Sequence, residues 1–163
     1  MMVGTPMVSL SRGPWQVMLC TLLVDQATKT AALTFLPDGA VSVLPFFDLT
    51  LGFNTGASFG MMSVAMAARP MLMVLLTGVI TLGFACMAYR ATNRPERNGF
   101  ALITGGALGN IVDRLNRGAV TDFLDFHWQG WHWPAFNIAD VAIFIGAAFV
   151  IVSAFLGKRA RHA

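Results

Sequence analysis

The chain has 163 residues, 56% of them hydrophobic and 12% charged, with a mean hydropathy of +0.65 and a formal net charge of +3. A water-soluble domain carries about 25% charged residues, so this chain has too few charges to cover a water-facing surface, and lipid is the expected solvent. The length suits one domain, and no basic stripe with polar or aromatic interleaving is present, so no nucleic-acid partner is expected.

Residues 14–35 form the first expected membrane span, about 20 residues being enough to cross ~30 Å of hydrocarbon. Pro14 suits the first helical turn, and Pro37-Asp38-Gly39 marks a turn at the exit. The run is too long for a signal peptide, it contains Asp25 and Lys29, and no small-residue cleavage site follows before Pro37. It therefore reads as a retained span. Residues 38–68 mix β-branched and aromatic residues with Pro45, Gly52 and Gly56, which predicts short strands outside the membrane. An apolar stretch at 61–67 is expected in the interface.

A second span follows at 71–89, then a polar, breaker-rich loop at 90–99. The third span, 100–115, is apolar only to about Val112, with Asn110, Asp113 and Arg114 at its far end. Residues 116–135 leave the membrane, and Trp128, Trp131 and Trp133 resemble an interfacial aromatic belt. The fourth span, 136–156, ends at Gly157 and the basic tail of Lys158, Arg159 and Arg161. The expected fold is an all-α polytopic membrane protein, one domain over 1–163, with four transmembrane helices and a small extracytoplasmic β-rich region. Arg12, the arginines of 90–97 and the basic tail all belong on the cytoplasmic side. Four spans satisfy this and place both termini in the cytoplasm.

Ionisable groups at membrane depth cost about 2.5–3.5 kcal/mol each on insertion scales, and they usually face an internal cavity. Here Asp25, Lys29, Asn54, Asn110, Asp113, Arg114, Asp122 and Asp140 collect toward the non-cytoplasmic level. Two carboxylates brought close share one proton. One then takes a proton from water and the other donates to a peptide carbonyl, chemistry that needs neither metal nor cofactor. With Asn137 as N-cap of the last helix, Asp140 falls at its third position, where backbone N–H groups favour the charged form. That points to Asp140 as the ionised partner and Asp122 as the protonated one. Spacing alone leaves the partner of Asp140 open among Asp122, Asp113 and Asp125. It also leaves plain readings open: a helix cap for Asn137 and Asp140, an ion pair for Asp113 and Arg114.

Other motifs point elsewhere. Cys20 and Cys86 stand alone in separate apolar runs, which suggests neither a disulfide nor a zinc site. His127 and His132 are poorly spaced for one helix face and read as interfacial residues rather than metal ligands. Gly56-Ala57-Ser58-Phe59-Gly60 matches the G-x-S-x-G of serine hydrolases, but only His127 and His132 lie on the same side to act as base. A proton-coupled transporter would favour inverted repeats and broken helices, and neither is evident.

Five blocks in order carry a resemblance to lipoprotein signal peptidase, or signal peptidase II, over nearly the whole chain. They are Asp25-Gln26-Ala27-Thr28-Lys29, Phe53-Asn54-Thr55-Gly56-Ala57-Ser58-Phe59, Gly105 to Arg114, Val120-Thr121-Asp122-Phe123 and Phe136-Asn137-Ile138-Ala139-Asp140. The resemblance implies Asp122 and Asp140 as catalytic, with Asn54, Gly56, Asn110, Asn137, Asp113 and Arg114 lining or supporting the site. It makes Asp25 and Lys29 a structural or supporting pair. It implies prolipoprotein substrates carrying a diacylglyceryl cysteine, cleavage just before that cysteine, and inhibition by globomycin. The expected place is the outer face of a bacterial cytoplasmic membrane, among membrane lipids. Gly56, Ala57 and Gly109 would let a peptide backbone approach closely, and residues 40–68 would form a cradle or lid over the site.

Overall fold

The computed structural model describes residues 13–56 and 70–159. In chain order these hold α1 (Pro14–Phe35), β1 (Ala40–Leu44), β2 (Phe47–Asn54), α2 (Pro70–Arg90), α3 (Arg94–Arg117), β3 (Val120–Trp128), β4 (Trp131–His132) and α4 (Ile138–Arg159). The stretch at 61–67, with Ala57 and Ser58, lies outside the described residues.

The solvent preference is inverted relative to a soluble protein. The largest fully buried side chains are Lys29, Asn137, Thr104, Thr121, Asp25 and Asp113. Leu75, Val79, Ile80 and Leu82 of α2, with Phe144, Ile151 and Phe155 of α4, are exposed. Water would penalise this arrangement, whereas lipid favours apolar surface outside and satisfied polar groups inside. Among the described residues, only α2 and α4 are long and apolar enough to cross a membrane by length and composition alone. The other two have comparable lengths, 22 residues for α1 and 24 for α3, but carry charge. α1 holds Asp25 and Lys29, and α3 opens on Arg94-Pro95-Glu96-Arg97 and closes on Asp113, Arg114 and Arg117.

The loop expected at 90–99 is shorter than the sequence suggests, because α3 begins at Arg94 rather than near Phe100. The Asn93 side chain accepts from Glu96 N at 2.8 Å and donates to the Glu96 carboxylate at 2.7 Å. Pro95 sits in the first turn, where its missing N–H costs nothing. The residues that read as breakers are therefore the start signal of the helix.

α3 is the central element, packed against all three other helices. Glycines permit this. A Cβ on Gly105 would lie 2.6 Å from Met18 O of α1, and one on Gly106 would lie 2.5 Å from Ala139 O of α4. Gly99 and Gly146 face each other, the added Cβ of Gly146 meeting Gly99 O at 2.5 Å. Small residues at such crossings let helix backbones approach without a hydrophobic drive between them. Gly146→Val is accordingly expected to lower Tm in detergent by the equivalent of about 1–3 kcal/mol of overpacking. Gly78→Val, where nothing lies within 4 Å, should leave Tm nearly unchanged.

The strands form one antiparallel sheet in the order β1-β2-β3-β4. Strands were expected only within 38–68, so β3 and β4 are additions. β3 is rich in Val, Thr, Phe and Trp, and Gln129-Gly130 with φ 50° and 81° makes the two-residue turn that joins it to β4. Phe136 O accepts from Phe123 N at 3.0 Å and Leu124 N at 2.9 Å, and Phe136 N donates to Leu124 O at 3.0 Å. These bonds tie the entry to α4 onto β3, and so bring Asn137 beside Asp122.

Candidate active site

Asp122 lies on β3 opposite Gly52 of β2, and is 4% exposed. Asp140 lies in the first turn of α4 and is half-buried. The link between them is Asn137, which is fully buried. Its Nδ2 donates to Asp122 Oδ1 at 2.6 Å, its Oδ1 accepts from Asp140 N at 3.1 Å, and its backbone N–H donates to Asp140 Oδ2 at 3.1 Å. The Asn137–Asp140 exchange is a reciprocal helix cap, so the cap reading and the site reading describe the same atoms. Asn110 of α3 donates from Nδ2 to Asp140 Oδ1 at 3.0 Å. Asn54, at the end of β2, hydrogen-bonds Asp122 and accepts from Gly56 N at 2.9 Å. Gly56 has φ +102°, a conformation that side-chain-bearing residues rarely adopt.

A second buried cluster lies behind Asn110. Lys29 Nζ contacts Asp25 Oδ2 at 2.9 Å, Asp113 Oδ2 at 3.4 Å and Asn110 Oδ1 at 2.8 Å. Asp25 Oδ1 accepts from Ala139 N at 2.9 Å, which joins α1 to the first turn of α4. Asp113 also accepts from Thr121 N at 2.8 Å and pairs with Arg117 at 3.5 Å. Arg114 does not pair with Asp113 as a simple ion pair. Its charge faces Asp122, Asp140 and Asp113 together, and its Nε is buried without a hydrogen-bond partner.

Asp125 points away from this site. It binds His132 Nδ1 at 2.8 Å, while His127 Nε2 lies 3.2 Å from Asp48 Oδ2. Asp48 and Asp125 are cross-strand partners, as are His127 and His132, so the two acids and two histidines form one side-chain cluster on the sheet. Among the described residues no cluster of three or more His, Cys, Asp or Glu suited to a metal is found.

Sequence reasoning assigned no role to Gln26, yet its Nε2 donates to Gly109 O at 3.1 Å and Asp25 Oδ2 at 3.1 Å. An amide inside an apolar helix, between Asp25 and Lys29, was the available signal. Gly109 also serves differently than expected. A Cβ there would collide with the Asp25 carboxylate, so its smallness accommodates the buried ion cluster rather than a peptide.

Burial raises the Asp122 carboxyl to about 6, and the negative charge of Asp140 pushes the same way. Hydrogen bonds from Asn137 and Asn54, and the Lys29 charge, oppose it. A carboxyl raised from 3.8 in the unfolded chain to about 6 in the folded one contributes stability that is complete below about 3.8 and lost as pH rises through about 6. Asp122→Asn removes this dependence. At pH 7.5 the variant is expected to be more stable than the parent by about 3 kcal/mol at most, and the Tm gap should close on going to pH 4.

Two neighbouring apolar grooves lie on this side of the molecule, and Asp140 lines the smaller. One of 360 Å³ is lined by Trp133, Phe136, Asp140, Val141 and Phe144. Another of 510 Å³ shares Trp133 and Phe136 and adds Phe46, Phe126, Trp128 and Trp131. The arrangement offers two coupled carboxylates, one held protonated to near-neutral pH, beside an apolar trough.

Residues 17–156 match the family model described as signal peptidase (SPase) II. The chain is 45% identical over 141 residues to the lipoprotein signal peptidase of Burkholderia mallei strain SAVP1, with 85% of each chain covered. It is 38% identical over 137 residues to that of Serratia marcescens, with 83% of this chain and 81% of the relative covered. Its fold superposes with TM-score 0.76 on a bacterial membrane enzyme solved by the in meso method at 2.3 Å resolution, at 27% identity, covering 89% and 88% of the two chains. A second such structure, at 1.9 Å resolution, gives TM-score 0.75 at 28% identity. With a family match over most of its length and relatives sharing two-fifths of their residues, the chain belongs to the signal peptidase II family and is a peptidase.

Proposed function

We propose that the chain is a membrane aspartic endopeptidase that removes signal peptides from diacylglyceryl-modified prolipoproteins, cutting just before the lipidated cysteine. The observation that carries this reading is the tie of Asp122 and Asp140 through the buried Asn137. In the proposed reaction ionised Asp140 takes a proton from water, and the resulting hydroxide attacks the scissile carbonyl carbon. Protonated Asp122 gives its proton to the carbonyl oxygen. Collapse of the resulting gem-diol breaks the C–N bond as the proton held by Asp140 passes to the leaving amine and one hydroxyl proton returns to Asp122, which restores both carboxyls. Arg114, whose guanidinium interacts with the charges of Asp122 and Asp140, and Asn54 are the groups assigned to hold substrate carbonyls.

The whole of 1–163 acts as one domain with four spans, both termini in the cytoplasm and the sheet on the extracytoplasmic side of the bacterial inner membrane. The fully buried Asp25, Lys29 and Asp113 support α1 and α3 as spans, because charges this well paired are compatible with a bundle interior in lipid. β1 and β2 serve as a cradle beside the site. The groove next to Asp140 suits an acyl chain, each buried CH₂ contributing about 0.8 kcal/mol. Globomycin would compete for the same space.

The test is cleavage by purified protein in detergent of one preprotein in two forms, with and without the diacylglyceryl group. Cleavage of the lipidated form alone, giving a product that begins at the modified cysteine, supports the reading. Equal cleavage of both forms, or none by folded protein, contradicts it. The serine-hydrolase alternative is separated by Ser58→Ala, which is expected to keep full activity.

A further inference from the structure

We propose that Lys29 is a positioning residue for the reaction: its ammonium fixes the Asn110 amide so that the amide N–H faces Asp140. This rests on the reading of Asp140 as a reacting group. Lys29 lies in α1 and is 1% exposed, remote in sequence from Asn110, Asn137 and Asp140. An ammonium has three hydrogens and accepts nothing. Here three oxygens surround it, and the closest, at 2.8 Å, belongs to the neutral amide of Asn110 rather than to Asp25 or Asp113. Because lysine only donates, the Asn110 atom facing it must be the carbonyl oxygen. The NH₂ group is thereby turned to Asp140, where it donates to Oδ1 at 3.0 Å. Asn137 Nδ2 approaches the same Asn110 oxygen at 3.4 Å, which reinforces the orientation.

A flipped Asn110 would set its carbonyl oxygen against the Asp140 carboxylate, and oxygen facing oxygen would turn the base out of line. A charge-balancing lysine needs only its two carboxylates. The amide contact is the part that charge balance leaves unexplained. Asp140 Oδ2 is meanwhile held by Asn137 N, so the carboxylate is oriented from both oxygens. The relay Lys29–Asn110–Asp140 thus carries positional information from α1 through α3 to α4.

A double-mutant cycle in purified protein, using a diacylglyceryl preprotein as substrate, tests this. Lys29→Met and Asn110→Ala are each expected to lower kcat by about 10- to 100-fold, with KM changed less than about threefold. The double variant should be no worse than the weaker single variant, because both changes break one relay. A double variant whose loss equals the product of the single losses overturns the proposal. Lys29→Arg keeps the charge but displaces the donor. It is expected to keep a cooperative melt yet still lose kcat, and it replaces Lys29→Met in the cycle if the latter does not fold. Full activity in Lys29→Arg also overturns the proposal. Asp140→Asn is the control on the underlying reading. If it cleaves like the parent, the site assignment itself fails; if it is inactive while the cycle is multiplicative, only the role of Lys29 fails.

Discussion

Asp122→Asn and Asp140→Asn should each lower single-turnover cleavage of a lipidated preprotein by about 10²- to 10⁴-fold, the range for loss of a positioned general acid or base. Both replacements keep shape. In Asp122→Asn the amide oxygen still accepts from Asn137 Nδ2, now at 2.6 Å to a carboxylate oxygen. In Asp140→Asn an oxygen remains for one of its two donors, Asn110 Nδ2 or Asn137 N. Loss of activity with a retained cooperative melt therefore reports chemistry rather than unfolding. The shape of the kcat/KM profile adds a second check. With Asp122 pushed up to about 6, activity that needs its proton should fall above about pH 6 in the free enzyme, tenfold per unit. Burial under a bound acyl peptide removes more water from Asp122, so the alkaline limb of kcat should lie at higher pH.

The second large effect belongs to Asn137. Asn137→Ala deletes the helix cap and the donor to Asp122 at once, in a residue with no exposed surface. The lost cap costs about 1 kcal/mol, and the unsatisfied buried groups about 1–3 kcal/mol more. A drop of about 10²-fold or more in kcat is expected alongside a lower Tm. Asn137→Ser separates the two roles. Serine caps helices as well as asparagine does, but it is too short to span from the cap to Asp122. Its Tm should recover most of the loss while kcat stays low. Recovery of both would reduce Asn137 to a cap.

Much of this architecture is visible in the residues. The helices appear as apolar runs with Pro14 and Asn137 at their starts, whereas the end of α3 lies two residues beyond the expected 115, at Arg117, with Gly118 closing it at φ +75°. The first turn of α3 is hidden because Arg94, Pro95, Glu96 and Gly99 look like loop residues when Asn93 is not recognised as a cap. β3 is hidden because it shows no apolar–polar alternation around Asp122: its first four residues, Val120 to Phe123, are all buried. Asp140 and its cap follow from local spacing, since both bonds lie within one helical turn. The partner of Asp140 does not follow, because Asp113, Asp122 and Asp125 are separated only by tertiary contacts. Lys29 and Gln26 take Asp113, His132 takes Asp125, and the Leu124–Phe136 bridge brings Asp122 to Asn137. Long-range pairing of this kind leaves no periodic signature in the chain.

The most direct measurement is mass spectrometry of the products formed from a diacylglyceryl preprotein by the purified parent protein, Asp122→Asn and Asp140→Asn, each shown to be folded by its melt. The parent should release the signal peptide and leave a product beginning at the lipidated cysteine, with neither variant doing so on the same time scale. Release at the parent rate by either aspartate variant would contradict the two-carboxylate account.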